Sequence, residues 1–448
     1  MSIRDTIDAA PFSRYQVRVV VLCLILCMVD GYDLLVSAFA ASGIAKEWGL
    51  SGSQVGLVLS SGLVGTGLGS AILAPLADRF GRRPLTVGCL AISTVGMALA
   101  TFSTGLETLV AYRLITGLGV GGLVASLPVL IAEYSPRRRQ GTAIALYTTG
   151  LPLGGVLGGM VAGLLISEYG WRSSFAVGAV ISGLMLVVIA VALPESIDYL
   201  VTRRPPNALA RINALLLRMG HTPLEELPAP GTEVARGVRS EVIRGRNGVK
   251  TTLLWASFFV LMASFYFAAS WTPKLLEQSG ASAEQGLSGG MLLNVGGVVA
   301  TLGFGLLALT VSKRTLTAGS MVAMAVTFVG MSFALGNLTA TLIVAVAVGI
   351  AMNAAAAGIY TIAPELYPAE VRTTAVGWAA AFGRLGAICS PVLAGVLIDR
   401  AWTPGSLFVL FAVPTVAAAA AVLAMTRLGK TTGTSPAGAR RELASPLN

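Results

Sequence analysis

The chain contains twelve apolar segments that are each long enough to cross a lipid bilayer, and they constrain the fold more than any other feature. A hydrocarbon core of about 30 Å requires roughly 20 apolar residues in helical form. Inside that core every backbone polar group needs a partner within the protein, which a helix provides. The sequence therefore predicts an all-α membrane protein. The predicted helices span residues 16–40, 53–75, 84–104, 107–132, 140–166, 171–193, 250–273, 285–311, 315–335, 339–362, 373–398 and 405–426.

The composition argues against a water-soluble enzyme. Hydrophobic residues make up 55% of the chain and charged residues only 12%, whereas soluble domains carry about 25% charged residues. All four cysteines lie within apolar segments, and the single histidine, His221, lies in a polar loop. Nucleophilic catalysis and metal binding need such side chains around a pocket. We therefore predict no catalytic residues, no metal site and no cofactor.

Lysine and arginine are distributed unevenly between the two ends of the predicted helices. With the N-terminus in the cytoplasm, 25 of the 31 basic residues lie in cytoplasmic segments and two lie within helices. The four on the other side are Lys46, Arg172, Lys274 and Arg400. Because cytoplasmic loops of membrane proteins carry such an excess, both termini are predicted to be cytoplasmic. The net charge of +10 follows from this topology and indicates no nucleic-acid partner.

A single long connection, residues 194–249, divides the chain into two sets of six helices. We predict an N-terminal bundle over 1–193, a C-terminal bundle over 250–428 and a disordered cytoplasmic tail over 429–448. The connection contains apolar residues at the spacing of an amphipathic helix: Leu209, Ile212, Leu215, Leu216 and Met219. Such a helix lies either on the cytoplasmic membrane surface or against the protein itself.

The two halves match each other in sequence at a constant offset of 232 residues. Glu133-Tyr-Ser-Pro136 corresponds to Glu365-Leu-Tyr-Pro368, and the register continues without a gap for more than thirty residues. An internal duplication explains this match better than chance similarity between apolar segments. Two six-helix repeats with the same orientation and a cavity between them fit alternating access better than a fixed pore.

The first helix carries two acidic residues in its apolar interior, Asp30 and Asp33, which lie on nearly the same helix face. An ionised carboxylate at mid-helix costs about 2.5–3.5 kcal/mol, so acids inside a membrane are candidates for function. Asp30 lies roughly 20 Å along its helix, and Arg113 in the fourth helix lies at a similar depth. If they share a cavity, the arginine favours the ionised carboxyl and desolvation opposes it, so proton affinity depends on access. The alternative is a buried acid neutralised by a basic partner for packing or assembly.

A second arginine, Arg384, lies roughly 16 Å into the eleventh helix, near the bilayer centre. A carboxylate substrate would satisfy its guanidinium through two parallel hydrogen bonds. The alternative is an internal bond to helix carbonyl groups or to an acid. Aromatic and amide side chains at similar depths would together line a small-ligand pocket, although each alone is more typical of core packing. They are Phe258, Phe265, Tyr266, Trp271, Asn294, Asn353, Trp378 and Phe382.

The loop after the second helix reads Asp-Arg-Phe-Gly-Arg-Arg over residues 78–83. Arginines alone would explain positive-inside anchoring, whereas the acid and the glycine favour a clasp between helix ends. This loop resembles the signature of the major facilitator superfamily. The resemblance implies a gate that holds the cytoplasmic side shut in the outward-facing state, formed by Asp78, Arg79, Gly81, Arg82 and Glu133. The equivalent turn of the second half, residues 311–314, lacks the acid and the glycine, so a weaker gate is expected there.

Several segments resemble one branch of that superfamily, the aromatic acid:proton symporter family. They are Asp30-Gly31-Tyr32-Asp33, residues 113–122, Trp271-Thr-Pro273, Tyr367-Pro368 and residues 383–388. The resemblance implies import of a benzoate-like acid together with a proton across a bacterial inner membrane. We predict that the protein is a monomer. The resemblance also makes Asp30 and Asp33 candidates for proton coupling, and Arg113, Arg384 and Tyr32 candidates for substrate binding. Alternatives are a carrier for another organic anion or metabolite and a proton-coupled drug exporter, although Arg384 argues against export of a cation.

Overall fold

The computed structural model of the protein describes residues 3–227, 245–367 and 369–430. Within this part of the chain, twelve helices are long and apolar enough to cross a membrane, which confirms the predicted all-α architecture. We number them α1 (Arg14–Trp48), α2 (Gly52–Phe80), α3 (Arg82–Thr101), α4 (Leu106–Tyr134), α5 (Arg137–Tyr169), α6 (Arg172–Ala192), α7 (Gly248–Gln278), α8 (Ala283–Leu307), α9 (Lys313–Ala334), α10 (Leu338–Leu366), α11 (Thr374–Asp399) and α12 (Pro404–Met425). Residues 228–244 of the predicted linker and 431–448 of the predicted tail lie outside the described residues.

Local sequence explains where several helices begin. α1, α2 and α8 each follow a serine that has a glutamine three residues later, and each of these side chains bonds a backbone N–H group at the helix start. Three helices are not uniform along their length. α2 is interrupted at Leu73 and α5 at Thr149, and α10 ends in a 3₁₀ turn over Ala363–Leu366. Helical structure extends beyond the spans to Gly245 before α7, Ala369 before α11 and Lys430 after α12.

Helix packing in the second half repeats that of the first, shifted by six helices. α1 packs on α5, α2 on α4 and α3 on α6. Correspondingly, α7 packs on α11, α8 on α10 and α9 on α12. The two halves meet where α2 lies against α11 and where α5 lies against α8. This pseudo-symmetric pair of six-helix sets is the arrangement that the internal repeat predicts.

One end of the molecule carries the arginine-rich turns at residues 79–83 and 137–139 together with the connection that follows α6, and we call this end the basic face. The other end is called the opposite face. The connection contains the helices Ile197–Arg203 and Ala208–Met219. The second of these buries apolar side chains in one cluster with α1 and α4, which places it against the protein rather than leaving its apolar side free for lipid.

Candidate functional site

Asp33 lies where α1, α3 and α4 meet, with 1% of its surface exposed. Its Oδ2 atom accepts a hydrogen bond of 2.7 Å from the Ser93 hydroxyl of α3. Arg113 of α4 also reaches this residue, but its Nη2 donates to the backbone carbonyl oxygen of Asp33, at 2.7 Å. Asp33 Oδ1 and Arg113 Nε have no hydrogen-bond partner among the described residues. The carboxyl and the guanidinium are therefore close together, and each keeps one unsatisfied polar atom.

The position of Arg113 depends on the absence of a side chain on α2. A Cβ atom added at Gly62 would lie 2.9 Å from Arg113 Nη2. On its other side, the guanidinium lies 5.9 Å from the centre of the Phe175 ring. Arg113 is only 4% exposed and is a partner of α1 inside the first half. Together with Asp33 it lines a narrow cavity between α1, α2 and α4.

Asp30 lies one helical turn from Asp33 toward the basic face. It is 1% exposed, and neither of its carboxyl oxygens has a hydrogen-bond partner among the described residues. The side chains near enough to feel its charge are the uncharged groups of Cys27, Cys89 and Tyr147 and the carboxyl of Asp33, and none of them is a cation. An ionised carboxylate without a partner is costly in such surroundings, so the site accommodates the protonated, neutral form.

Tyr32 points to a different side of α1 from the two aspartates. Its hydroxyl donates a 2.6 Å hydrogen bond to the Ser174 carbonyl oxygen of α6. The ring is 5% exposed and packs against positions where α5 and α6 have glycine, Gly158 and Gly178. This placement, inside the packing of the first half, does not support the predicted contact between Tyr32 and a substrate.

Arg384 is half-buried at the middle of α11, and no hydrogen bond or ion pair joins its guanidinium to another described residue. The phenol groups of Tyr266 on α7 and Tyr360 on α10 lie within range of its charge. Tyr360 is 48% exposed and packs edge-on against Phe258, with 5.1 Å between ring centres. Phe265 lies beside Tyr266, at 5.4 Å. The guanidinium thus has two phenol groups within range of its charge, and each phenol ring packs against a further aromatic ring. A cation beside aromatic rings is the chemistry that an aromatic carboxylate requires.

Trp378 and Phe382 lie on another side of α11. Residues two apart on a helix point about 200° apart, so Phe382 faces away from Arg384. Its ring stacks on Trp255 of α7 with 4.2 Å between centres, and Trp378 lies 6.0 Å from the same indole. Phe382 is 37% exposed and belongs to the same exposed stripe as Leu385. These two predicted site residues therefore form a separate aromatic cluster, away from the guanidinium.

The two predicted amide residues lie where α5, α8 and α10 meet. Asn294 and Asn353 each donate to a carbonyl oxygen one turn earlier on their own helix, at 2.8 and 3.0 Å. A Cβ atom added at Gly155 of α5 would lie 2.5 Å from Asn294 Oδ1. Asn294 therefore belongs to the contact between the halves, and its carbonyl oxygen faces the first half.

The predicted gate residues form a network within the first half at the basic face. Glu133 accepts from Arg82 Nε at 2.9 Å and from the Ser196 hydroxyl at 2.6 Å. Asp78 lies 3.6 Å from Arg82 and is 73% exposed. Arg79 lies over the neighbouring Phe80 ring, at 5.3 Å. Arg82, rather than Arg79, is therefore the arginine that reaches Glu133 in this structure.

Gly81 is required by the backbone at this turn. Its φ of 103° lies in the region that favours glycine, and an added Cβ would lie 2.6 Å from Glu195 Oε2. Glu195 Oε1 accepts from the backbone N–H groups of Arg82 and Arg83 at 2.8 and 3.1 Å. A carboxylate from the connection after α6 thus caps the first turn of α3.

The second half has a weaker version of the same ion pair. Lys313, the first residue of α9, contacts Glu365 at the end of α10 at 2.6 Å. These positions correspond closely to Arg82 and Glu133 in the repeat. The Lys313–Glu365 side chains are 46% and 45% exposed, compared with 14% and 5% for the first pair. Exposed pairs contribute little to stability, which agrees with the weaker second gate that the sequence predicts.

Four side chains of this region were not identified from the sequence: Ser93, Glu195, Ser196 and Tyr360. Ser93 is a small polar residue within an apolar helix, and spacing alone does not indicate which helix it faces. Glu195 and Ser196 lie three and four residues after α6, and an acid and a serine before a short helix are a capping signal. Tyr360 lies seven residues after Asn353, on nearly the same helix face, and this spacing was the available signal.

The paired six-helix halves, with ionisable groups in their interior, are the architecture of a membrane transporter. The model of the Major Facilitator Superfamily matches residues 21–339 and 298–447. The chain belongs to this superfamily, in the branch that contains the aromatic acid transporters. It is accordingly a multi-pass protein of the bacterial inner membrane.

Three relatives and one solved structure illustrate this membership. The chain is 32% identical to the 4-hydroxybenzoate transporter PcaK of Pseudomonas putida, over 94% of this chain and 95% of the relative. It is 32% identical to the gallate transporter of the same species, over 95% of both chains, and 26% identical to the benzoate transport protein of Acinetobacter baylyi, over 89% and 87%. All three are transporters rather than enzymes. The fold is similar to the partially occluded inward open xylose transporter XylE from E. coli, with a TM-score of 0.73, 19% identity and coverage of 91% and 97%.

Proposed function

We propose that the protein imports a small aromatic carboxylic acid together with a proton. The observation that carries this proposal is the Arg384 guanidinium, which lies at mid-helix without a hydrogen bond or ion pair among the described residues. The sequence of the second half offers it no acid at that depth, because the acids between 250 and 428 are all near helix ends. They are Glu277, Glu284, Glu365, Glu370 and Asp399. A carboxylate that enters with the substrate supplies the missing partner.

The aromatic part of the substrate is supported by the rings near Arg384. A benzene ring can pack in offset or edge-on geometry on the rings of Tyr266, Tyr360 and Phe265. Phe258 is fully buried and supports the Tyr360 ring from behind. The relatives named for 4-hydroxybenzoate, gallate and benzoate transport support the same class. A benzoate-like acid combines one carboxylate with one ring and matches both features of the site.

Proton coupling is supported by energetics and by the acids of α1. Moving one negative charge inward against a potential of 100 mV costs about 2.3 kcal/mol, and a proton carried with the anion cancels this cost. Asp30 and Asp33 lie about one turn apart in the interior of α1, and each has a carboxyl oxygen without a hydrogen-bond partner among the described residues. We assign the proton to this pair, with Ser93 and Arg113 holding Asp33 in place.

The transport cycle follows from the two halves. We propose that residues 1–193 and 250–428 move against each other as two bodies, that the basic face is cytoplasmic and that the monomer is the transporting unit. When the cytoplasmic side closes, the Asp78–Arg82–Glu133 network would exchange part of its present bonds for contacts with the second half.

Transport by the purified protein in liposomes tests the proposal. An inward proton gradient should drive accumulation of labelled 4-hydroxybenzoate, and Asp30→Asn and Asp33→Asn should abolish accumulation while the acid still equilibrates down its own gradient. Glu168→Gln, at an exposed acid of α5, is the matched control and should accumulate like the parent. Accumulation that survives both aspartate substitutions would remove these residues from the coupling step. An absence of any movement of aromatic acids would remove the substrate class.

A further inference from the structure

The start of α2 is completed by a carboxylate from the other half of the molecule. Asp399, at the end of α11, accepts from the backbone N–H of Gly52 through Oδ1 at 2.6 Å and from that of Ser53 through Oδ2 at 2.8 Å. Ser51 already accepts from the N–H of Gln54. The first N–H groups of a helix have no partner within the helix, and here a residue of the second half satisfies two of them.

The contact between α2 and α11 extends beyond this cap. A Cβ atom added at Gly52 would lie 2.6 Å from the Gly395 carbonyl oxygen, and one added at Gly395 would overlap Gly52 in turn. Two turns further along α2, the Ser60 hydroxyl donates to the Ile388 carbonyl oxygen at 2.7 Å. At the opposite face, α2 and α11 are therefore in backbone contact, with glycines at the crossing.

The order of these contacts along the two helices gives their relative direction. Residue numbers rise along α2 while they fall along α11, so the two helices are antiparallel. Each helix has an aspartate near its C-terminal end, Asp78 on α2 and Asp399 on α11. In this structure Asp399 is bonded across the halves, whereas Asp78 is 73% exposed with Arg82 as its ion-pair partner.

We infer that Asp399 is a gating residue of the transport cycle: its carboxylate holds the opposite face closed by capping α2, and the bond breaks when that face opens. The inference rests on the proposed alternating access and adds a residue to it. Opening this face strips the Gly52 and Ser53 N–H groups of a charged acceptor and leaves the positive end of α2 without a counter-charge. The cap therefore stabilises the closed form of this face over the open form.

The accessibility of α2 tests the inference without substrate or proton gradient. Val55, one turn into α2, is 2% exposed. A Val55→Cys variant that also carries Cys389→Ser is labelled with a membrane-impermeant maleimide, because the three remaining native cysteines are buried. Removing the cap with Asp399→Ala should raise the labelling rate about tenfold, the scale of one charge-assisted hydrogen bond. Asp399→Asn, which keeps one acceptor oxygen without the charge, should give an intermediate rate.

Glu47 provides the matched control on the same face. Its carboxylate accepts from Arg172 at 2.8 Å and from Trp171 at 2.7 Å, so all three residues belong to the first half. Glu47→Gln should leave the labelling rate of Val55→Cys unchanged. Equal rates in the parent and Asp399→Ala would overturn the inference, and so would an equal rise with Glu47→Gln. Because labelling needs no aromatic acid, failure of the proposed substrate leaves this result interpretable.

Discussion

The binding of a carboxylate by Arg384 gives the sharpest quantitative prediction. Arg384→Gln removes both the charge and the forked donor geometry. Hydrogen bonds to charged groups contribute about 1.5–3 kcal/mol each, and two of them at a half-buried position contribute about 3 kcal/mol. The dissociation constant for an aromatic acid should therefore rise roughly 100-fold in Arg384→Gln. Arg384→Lys keeps the charge but not the fork, and should weaken binding about tenfold.

Isothermal titration of the detergent-purified protein with 4-hydroxybenzoate and with its neutral amide measures this effect. The parent should prefer the acid, and Arg384→Gln should lose that preference because the amide never used the charge. Phe382→Leu is the matched control on the same helix. Its side chain stacks on Trp255, away from the guanidinium, so it should bind the acid like the parent.

The stability of the empty protein separates a binding role from a structural role. An unpaired guanidinium in the membrane interior is costly, so Arg384→Gln should unfold at the same or a higher temperature than the parent. A residue needed for packing would instead lower the unfolding temperature. Binding of the acid by Arg384→Gln within about threefold of the parent value would refute the assignment of Arg384 as the carboxylate partner.

Two further predictions concern residues around the two sites. Gly62→Ala places a methyl group against the Arg113 guanidinium, and such overpacking costs about 1–3 kcal/mol. Uptake driven by a pH gradient should therefore fall about tenfold. Gly67→Ala is the control: its added Cβ lies 3.8 Å from the nearest neighbour, so this variant should transport normally. Tyr360→Leu removes a ring contact worth about 0.5–1.5 kcal/mol. Titration should therefore show roughly fivefold weaker binding of benzoate-like acids. An unchanged affinity would place Tyr360 outside the site.

The fold was predictable because a single strong constraint decides it. Apolar segments of bilayer length must be helices, and the 232-residue repeat relates the two sets of six. The interruptions at Leu73 and Thr149 were not predicted. Both breaks are only one residue long, and hydropathy averaged over a window of bilayer length does not detect them.

The site was only partly predictable, because a residue's depth follows from the sequence more readily than the direction of its side chain. The shared face of Asp30 and Asp33 follows from helical spacing. Depth placed Arg113 level with Asp30, but the sequence alone did not show that α4 brings it against α1. Phe382 was placed beside Arg384 by depth alone, although a two-residue separation on a helix puts the two on different sides. The bond between Ser93 and Asp33 depends on how α3 packs against α1 and could not be obtained from spacing.

The distribution of charge between the halves gives a physical reason for the proposed coupling of proton and acid. The first half contributes Asp30, Asp33 and Arg113 to the membrane interior, and the second half contributes Arg384. Adding one proton and one monoanion leaves the net buried charge unchanged, whereas adding either alone changes it by one unit. Closing the halves around an extra unit charge costs several kcal/mol in a medium of low polarity. The empty and the fully loaded carrier can therefore change conformation at similar cost, while a carrier loaded with only one of the two is held back. Coupling on this view needs no direct contact between the proton site and Arg384, only that both lie in the interior that closes.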